Sequence, residues 1–302
     1  MTQNPQDSKS ERIELLAEAL PYIQKYRGKV FVLKYGGSAM EDETVVSGML
    51  RDVVFLEAVG INPVLIHGGG KAITQKMAEA GVDARFVNGL RVTDQVSVRI
   101  VQQVLEEEIN PRIVGQIRQF GGRATGLRGS RILEGRKMTP QRDRDGSLVD
   151  LGFVGEVFAV QMEEVRAVLA QESIPVISPL AHGPAGEFLN INADIAAGVV
   201  AGELGAVKMI YLSDVPGLLR DPKDPSTLIS SLSEKEINHL VATGVISGGM
   251  LPKVRSALNA LGCGVEKVHF IDGRVRHAIL REIFTDAGFG TEIIGETGSS
   301  NG

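Results

Sequence analysis

Two short apolar runs in this chain each end on a cluster of glycines. Val30-Phe31-Val32-Leu33 leads into Lys34-Tyr35-Gly36-Gly37-Ser38, and Pro63-Val64-Leu65-Ile66 leads into His67-Gly68-Gly69-Gly70. Such short apolar runs, bounded by turn residues, read as strands buried on both faces. A helical pattern follows each junction, from Thr44 to Val59 and from Lys71 to Ala80. Strand, glycine turn and helix in repeated order predict a mostly parallel sheet sandwiched by helices.

The rest of the chain keeps that alternation. Further helices are expected over Gln95–Phe120, Val165–Gln171, Ala193–Leu204, Lys235–Thr243 and Leu251–Leu261. Strands are expected over Arg123–Leu127, Ile174–Ser178, Val207–Leu212 and Lys267–Ile271. Residues 130–160 are polar and glycine-rich with short apolar pairs, which reads as β-hairpins at a sheet edge. Ahead of all this, Ser8 and Glu11 have capping-box spacing, and Ile13, Leu16, Leu20 and Ile23 recur at helical intervals. A helix from about Lys9 to Tyr26 is expected, kinked at Pro21 and ended by Gly28. A turn cluster at Gly183-Pro184-Ala185-Gly186 places a lobe boundary near residue 185.

Several functions are excluded by composition. The apolar runs are too short to span a bilayer, so no membrane partner is expected. Net charge is −5 with both signs interleaved, giving no electrostatic reason to bind nucleic acid. The single cysteine, Cys263, cannot form an internal disulfide and fits a reducing cytoplasm.

Six segments carry candidate chemistry. Paired glycines at a strand end let amides converge on an anion, and Lys34 adds charge beside Gly36 and Gly37, although a plain turn with a solvated lysine fits equally. Three glycines opening a helix are a stronger signal, since a structural turn rarely needs three, so Gly69 and Gly70 are candidate anion contacts. His67 reads as a packed histidine. Arg91, on the turn after Asn88-Gly89, has the fork to grip a carboxylate, or it makes a surface ion pair. Asn190, Asn192 and Asp194 lead into an alanine-rich helix; capping explains the last two but not Asn190. Asp214-Val215-Pro216-Gly217-Leu218-Leu219 is a strand-end turn. Val245-Ile246-Ser247-Gly248-Gly249 leads through Pro252 to Lys253, a lysine placed to reach a phosphate or simply solvated. Neither the P-loop nor the dinucleotide-binding glycine spacing is present.

Taken in order from about Lys29 to Ile294, these segments resemble the amino-acid kinase family, and within it the branch that acts on N-acetyl-L-glutamate. Each is weak alone; six in sequence are specific. The resemblance implies an open αβα sandwich. It assigns residues 28–185 to a lobe that binds the acyl amino acid and forms the dimer, and 186–302 to a nucleotide lobe. It also implies ATP with Mg2+ carried on its phosphates, and phosphorylation of the substrate's γ-carboxylate as a step of arginine biosynthesis. Lys34 and Lys253 would then stabilise the migrating phosphoryl group, with Asp194 holding both. Gly36 and Gly37 would cradle it, Gly69 and Gly70 would hold both it and the acceptor substrate, Arg91 would clamp the α-carboxylate, and Asn190 and Asn192 would contact the acyl amino acid. Asp214, Val215, Pro216, Gly217, Leu218, Leu219, Val245, Ile246 and Ser247 would line the nucleotide site. The chemistry agrees: a carboxylate nucleophile with a pKa of about 4.3 is already ionised, so charge neutralisation matters more than a general base.

The helix over residues 1–27 resembles the oligomerisation helix of arginine-inhibited, hexameric members. That implies a homo-oligomer, a dimer assembling to a hexamer, with L-arginine as inhibitor beside Tyr22, Lys208, His269, Glu282 and Gly288. Two other readings stay open. One is a sibling kinase for acetylaminoadipate or a carrier-linked glutamate; the other is a non-catalytic arginine or nucleotide sensor. Retention of Lys34, Lys253 and Asp194 favours an active enzyme.

Overall fold

The computed structural model describes residues 17–295 apart from 41, 144, 222, 247–249, 286 and 287. Side chains alternate across the Val30–Tyr35 strand, and both sets are buried. Phe31, Leu33 and Tyr35 enter one core, while Val32 enters another on the opposite face. A strand apolar on both faces belongs inside a sheet covered twice. Val30–Tyr35 accordingly lies within an eight-stranded sheet. The order is Ser231–Ser233, Thr291–Ile294, Lys267–Asp272, Lys208–Ser213, Val30–Tyr35, Asn62–His67, Ile174–Ile177, Ala124–Leu127. Every neighbouring pair is parallel except Lys267–Asp272 with Thr291–Ile294. Strands up to Ile177 fill one side of Val30–Tyr35, and those from Lys208 onward fill the other.

The helices Glu43–Ala58 and Asn110–Gln119 cover one face, and Ala193–Leu204 and Met250–Gly262 cover the other. Local chemistry starts and stops them. Asp42 caps Glu43–Ala58 by accepting from Thr44 N at 2.7 Å, and Asn192 caps Ala193–Leu204 by accepting from Asp194 N at 2.8 Å. Gly205, at φ 61°, ends the latter helix in the left-handed region.

The expected elements are present with ends shifted by at most three residues, the largest shift being the helix Met162–Ala170, and two expectations need correcting. The stretch expected to be one helix over 95–120 is instead Gln95–Gln102 and Asn110–Gln119 joined by a π-helical segment, Gln103–Ile109. Hairpins were expected at the edge of the sheet from residues 130–160. Leu133–Lys137 and Val154–Val160 do pair antiparallel, but they close a small barrel with Leu180–His182 and Phe188–Ile191. The Gly183–Gly186 cluster is the turn of that second hairpin. The N-terminal helix is described over residues 17–26, running through Pro21; its first part, with Ser8 and Glu11, lies outside the described residues. Gly28 follows it at φ 76°, its amide donating to Gly60 O at 2.7 Å. Among the described residues no helix is long and apolar enough to cross a membrane.

Candidate active site

The two glycine-ended strands are neighbours, with Tyr35 opposite His67, so both glycine clusters emerge at one end of the sheet. Their backbones approach closely. Gly68 N donates to Tyr35 O at 2.6 Å, and a Cβ on Gly68 would stand 3.4 Å from Gly36 Cα. At Gly69 a Cβ would meet Leu105 Cδ2 at 2.7 Å and Ile109 Cδ1 at 2.8 Å, so the π-helical segment forms the wall behind it. Gly37 takes φ 76°, a conformation that disfavours any side chain. A cavity of about 210 Å3 opens against these glycines and is also lined by Lys34, Arg91, Asn190, Asn192 and Asp194.

Lys34 alternates onto the sheet face that meets Ala193–Leu204, whose first turn carries Asp194. Lys34 Nζ lies 2.7 Å from Asp194 Oδ1, and Lys253 Nζ, from the helix Met250–Gly262, lies 3.3 Å from Oδ2. One carboxylate thus joins two ammonium groups that are 219 positions apart in the chain, 253 against 34. The Lys34 contact with Oδ1 is a short, buried ion pair. Burial opposes ionisation of Asp194, yet Lys34 and Lys253 outweigh it and hold the carboxyl below its ordinary value. For Lys253, burial and the charge of Lys34 lower the pKa, while Asp194 pulls the other way. The triad carries net positive charge at the mouth of a glycine-lined cavity.

Arg91 is 6% exposed, and its guanidinium donates to Gly70 O and Thr74 Oγ1, each at 2.8 Å, with the Phe86 ring beneath it at 4.6 Å. No described carboxylate lies within ion-pair distance of it. Burial lowers its pKa, but a guanidinium stays protonated. The surface ion-pair reading of Arg91 is therefore set aside: it is a buried cation facing a cavity. Asn190 donates to Thr93 Oγ1 at 3.2 Å, and Asn192 spends its Oδ1 on the helix cap while still lining the cavity. His67 is fully buried, bonded to Gly68 O and Asn110, and burial pushes its pKa down to about 4. It is a neutral packed histidine, as the sequence indicates.

The segment from Asp214 to Leu219 follows the Lys208–Ser213 strand at the same end of the sheet as Lys34. Ser213 Oγ accepts from Val215 N at 3.1 Å and Leu218 N donates to Thr291 Oγ1 at 2.8 Å, which fixes the turn. Leu218 and Ile246 are core residues beneath it, and Val245 packs against them. Ser247, Gly248 and Gly249 lie outside the described residues.

A second cluster occupies the opposite end of the strands. Lys208 Nζ donates to His269 Nε2 at 2.9 Å, and His269 Nδ1 donates to Glu282 Oε1 at 2.6 Å. Glu282 Oε2 accepts from Phe289 N and Gly290 N, in the turn that follows Gly288 at φ 61°. Tyr22 meets Phe284 edge to face at 6.2 Å. Burial lowers the Lys208 pKa to about 8 and lowers that of His269. Lys208, His269 and Glu282 thus form one bonded chain whose last member holds the turn after Gly288, and Tyr22 touches Phe284, two residues beyond Glu282.

Residues missed in sequence include Phe86, Leu105 and Thr93. Leu105 and Phe86 line the cavity, Leu105 from the π-helical segment Gln103–Ile109. No motif marks that segment.

The profile of the amino acid kinase family matches residues 29–272. Acetylglutamate kinase of Akkermansia muciniphila is 49% identical over 291 residues, covering 95% of this chain and 96% of its own. That of Aquifex aeolicus is 48% identical, covering 94% and 97%. Among solved structures, N-acetylglutamate synthase of Neisseria gonorrhoeae is similar in two complexes. With coenzyme A and N-acetyl-glutamate the TM-score is 0.81 at 28% identity, covering 94% of this chain. With coenzyme A and L-arginine it is 0.78 at 27%, covering 93%. This chain spans only 63% and 65% of those synthase chains. Carbamate kinase of Giardia lamblia bound to AMP-PNP shares the fold, with a TM-score of 0.65 at 16% identity over 89% of this chain and 99% of its own.

Proposed function

The chain belongs to the amino acid kinase family, and from that premise we propose that its glycine-lined cavity is where a phosphoryl group passes from ATP to a carboxylate. The reaction is ATP-dependent phosphorylation of the γ-carboxylate of N-acetyl-L-glutamate, giving N-acetyl-L-glutamyl 5-phosphate and ADP, within arginine biosynthesis. The observation that carries the mechanism is Asp194 between Lys34 and Lys253.

The γ-carboxylate oxygen attacks the γ-phosphorus while the bond to the β–γ bridging oxygen breaks, and the electron pair leaves with ADP. No proton moves at the nucleophile, which is ionised at neutral pH. The barrier is repulsion between two anions, and preorganised cations lower it by meeting charge where it develops. Lys34 and Lys253 supply those cations, and Asp194 keeps them on one side of the cavity. Amides of the Gly36–Gly37 and Gly69–Gly70 clusters complete the cradle. Arg91, a buried cation with no described carboxylate within ion-pair distance, receives the α-carboxylate, and Asn190 and Asn192 face the acyl amino acid. Asp214–Leu219 and Val245–Ser247 line the nucleotide. Magnesium would be carried on the ATP phosphates rather than by a set of protein ligands. When bound there it neutralises phosphate charge.

Purified protein with ATP, magnesium and N-acetyl-L-glutamate is expected to form an acyl phosphate that hydroxylamine traps as the hydroxamate. Acetylaminoadipate in parallel tests the longer-chain reading: faster turnover on it would replace N-acetyl-L-glutamate as the substrate. No hydroxamate from either would rule out the kinase reading.

Arginine inhibition and a hexamer rest on the cluster of Tyr22, Lys208, His269, Glu282 and Gly288 and on the helix ahead of residue 28. The arginine complex of the gonococcal synthase is in keeping with this. Deleting residues 1–26 is expected to reduce the assembly from hexamer to dimer and to weaken inhibition by L-arginine. Unchanged sedimentation and inhibition would refute both.

A further inference from the structure

Lys34, Asp194 and Lys253 come from three separate elements, and something must hold those elements in register. Lys34 pairs with Tyr211 across the parallel ladder, and Tyr211 pairs in turn with Phe270. Paired residues project from the same face, so the Tyr211 side chain stands beside Lys34 under the two helices that carry Asp194 and Lys253. Its ring stacks on Phe270 at 4.9 Å and is fully buried. The hydroxyl lies 2.7 Å from Ser256 Oγ, and Ser256 Oγ donates to the main-chain carbonyl of Asp194 at 2.6 Å. Ser256 is 3% exposed and sits one turn beyond Lys253 on the same helix.

The proton assignment is self-consistent. Tyr211 O–H donates to Ser256 Oγ, and Ser256 O–H donates to Asp194 O. Burial and the charge of Asp194 push the phenol well above its ordinary pKa, so it remains a donor. Close helix contact supports the bridge. A Cβ on Gly198 would stand 3.3 Å from both Ser256 O and Oγ, and one on Gly202 would collide with Cys263. The helices therefore approach on small residues, at a separation where a serine hydroxyl spans the gap.

We propose that Tyr211 and Ser256 are positioning residues for phosphoryl transfer, tying the strand paired with that of Lys34 to the Asp194 main chain and the Lys253 helix. Neither touches substrate. They act on the spacing of the two ammonium groups, to which the transition state is more sensitive than the bound substrates. The inference rests on Lys34 and Lys253 being the transfer lysines.

The test compares Ser256→Ala, Tyr211→Phe, the double variant and Lys34→Ala in steady-state kinetics, with thermal unfolding of each. Ser256→Ala is expected to lower kcat about tenfold. KM for N-acetyl-L-glutamate and for ATP should stay within about twofold. Tyr211→Phe, which removes only the oxygen, should lower kcat in the same direction and less. The double variant should fall at or slightly below Ser256→Ala, because the phenol acts mainly through the serine and only by a long 3.5 Å contact on Asp194 O itself. Wild-type kcat in folded Ser256→Ala overturns the proposal, as does a fall in kcat matched by a rise in KM. Should Ser256→Ala fail to fold, Tyr211→Phe decides alone, and wild-type kcat there overturns it. Lys34→Ala separates the two levels. If it is inactive while the other variants are wild type, only the positioning role falls; if it is fully active, the transfer-lysine reading falls as well.

Discussion

Replacing Lys34 by alanine is expected to lower kcat by about 10²–10³-fold, the range for removing one preorganised contact to a developing anion. KM for N-acetyl-L-glutamate should change much less, because the proposed site assigns the substrate carboxylates to Arg91 and the glycine amides rather than to this lysine. The Lys34 side chain is only 8% exposed and its ammonium sits 2.7 Å from Asp194, so water cannot take its place without rearrangement. Steady-state kinetics on the variant, with circular dichroism to confirm folding, reads both quantities. A parallel loss in kcat and gain in KM would mean that Lys34 serves ground-state binding instead.

Asp194→Ala should be costlier to the protein itself. It leaves two largely buried ammonium groups facing each other without their counter-charge. Breaking a buried ion pair by removing one member costs about 3–5 kcal/mol, and here one member serves two partners. Burial and Lys34 already lower the Lys253 pKa, and Asp194 is the largest influence raising it. Without that carboxylate the Lys253 pKa falls further, so its charge is lost at a lower pH as pH rises. The alkaline limb of kcat is expected to move to lower pH. The stability effect has its own sign. Asp194 has a folded pKa below its ordinary 3.8, so its contribution is fully present above that value and disappears as pH falls through the folded pKa. Denaturant unfolding of wild type and variant should therefore differ most at neutral pH and converge in acid. Curves that stay apart at all pH values would remove the ion-pair account.

Much of this was legible in the sequence, for reasons that can be stated residue by residue. The glycine clusters after Leu33 and after Ile66 announce themselves because only glycine tolerates the approach of Gly36 to Gly68 and of Gly69 to Leu105. Ala193–Leu204 was readable to the residue because a capping asparagine starts it and a left-handed glycine stops it. Arg91 was read without its burial, which depends on Thr74 and Phe86 closing around it, and no linear spacing encodes that. The barrel was missed because Leu180–His182 and Phe188–Ile191 are three and four residues long, too short for a two-residue period to stand out. The π-helical segment reads as an ordinary amphipathic helix, since its side chains satisfy either spacing. Tyr211 and Ser256 carry no motif. Their link to Asp194 exists only through strand register and helix contact, across 17 and 62 residues of chain.

The most direct test of paired lysines acting on one phosphoryl group compares two ligands on wild type and Lys34→Ala. One is MgADP with aluminium fluoride and N-acetyl-L-glutamate, which mimics the phosphoryl group in flight; the other is a non-hydrolysable ATP analogue. Lys34→Ala is expected to weaken the mimic by about 100-fold or more while the analogue's Kd shifts only a few-fold. Equal weakening of both ligands, or of neither, would contradict the account.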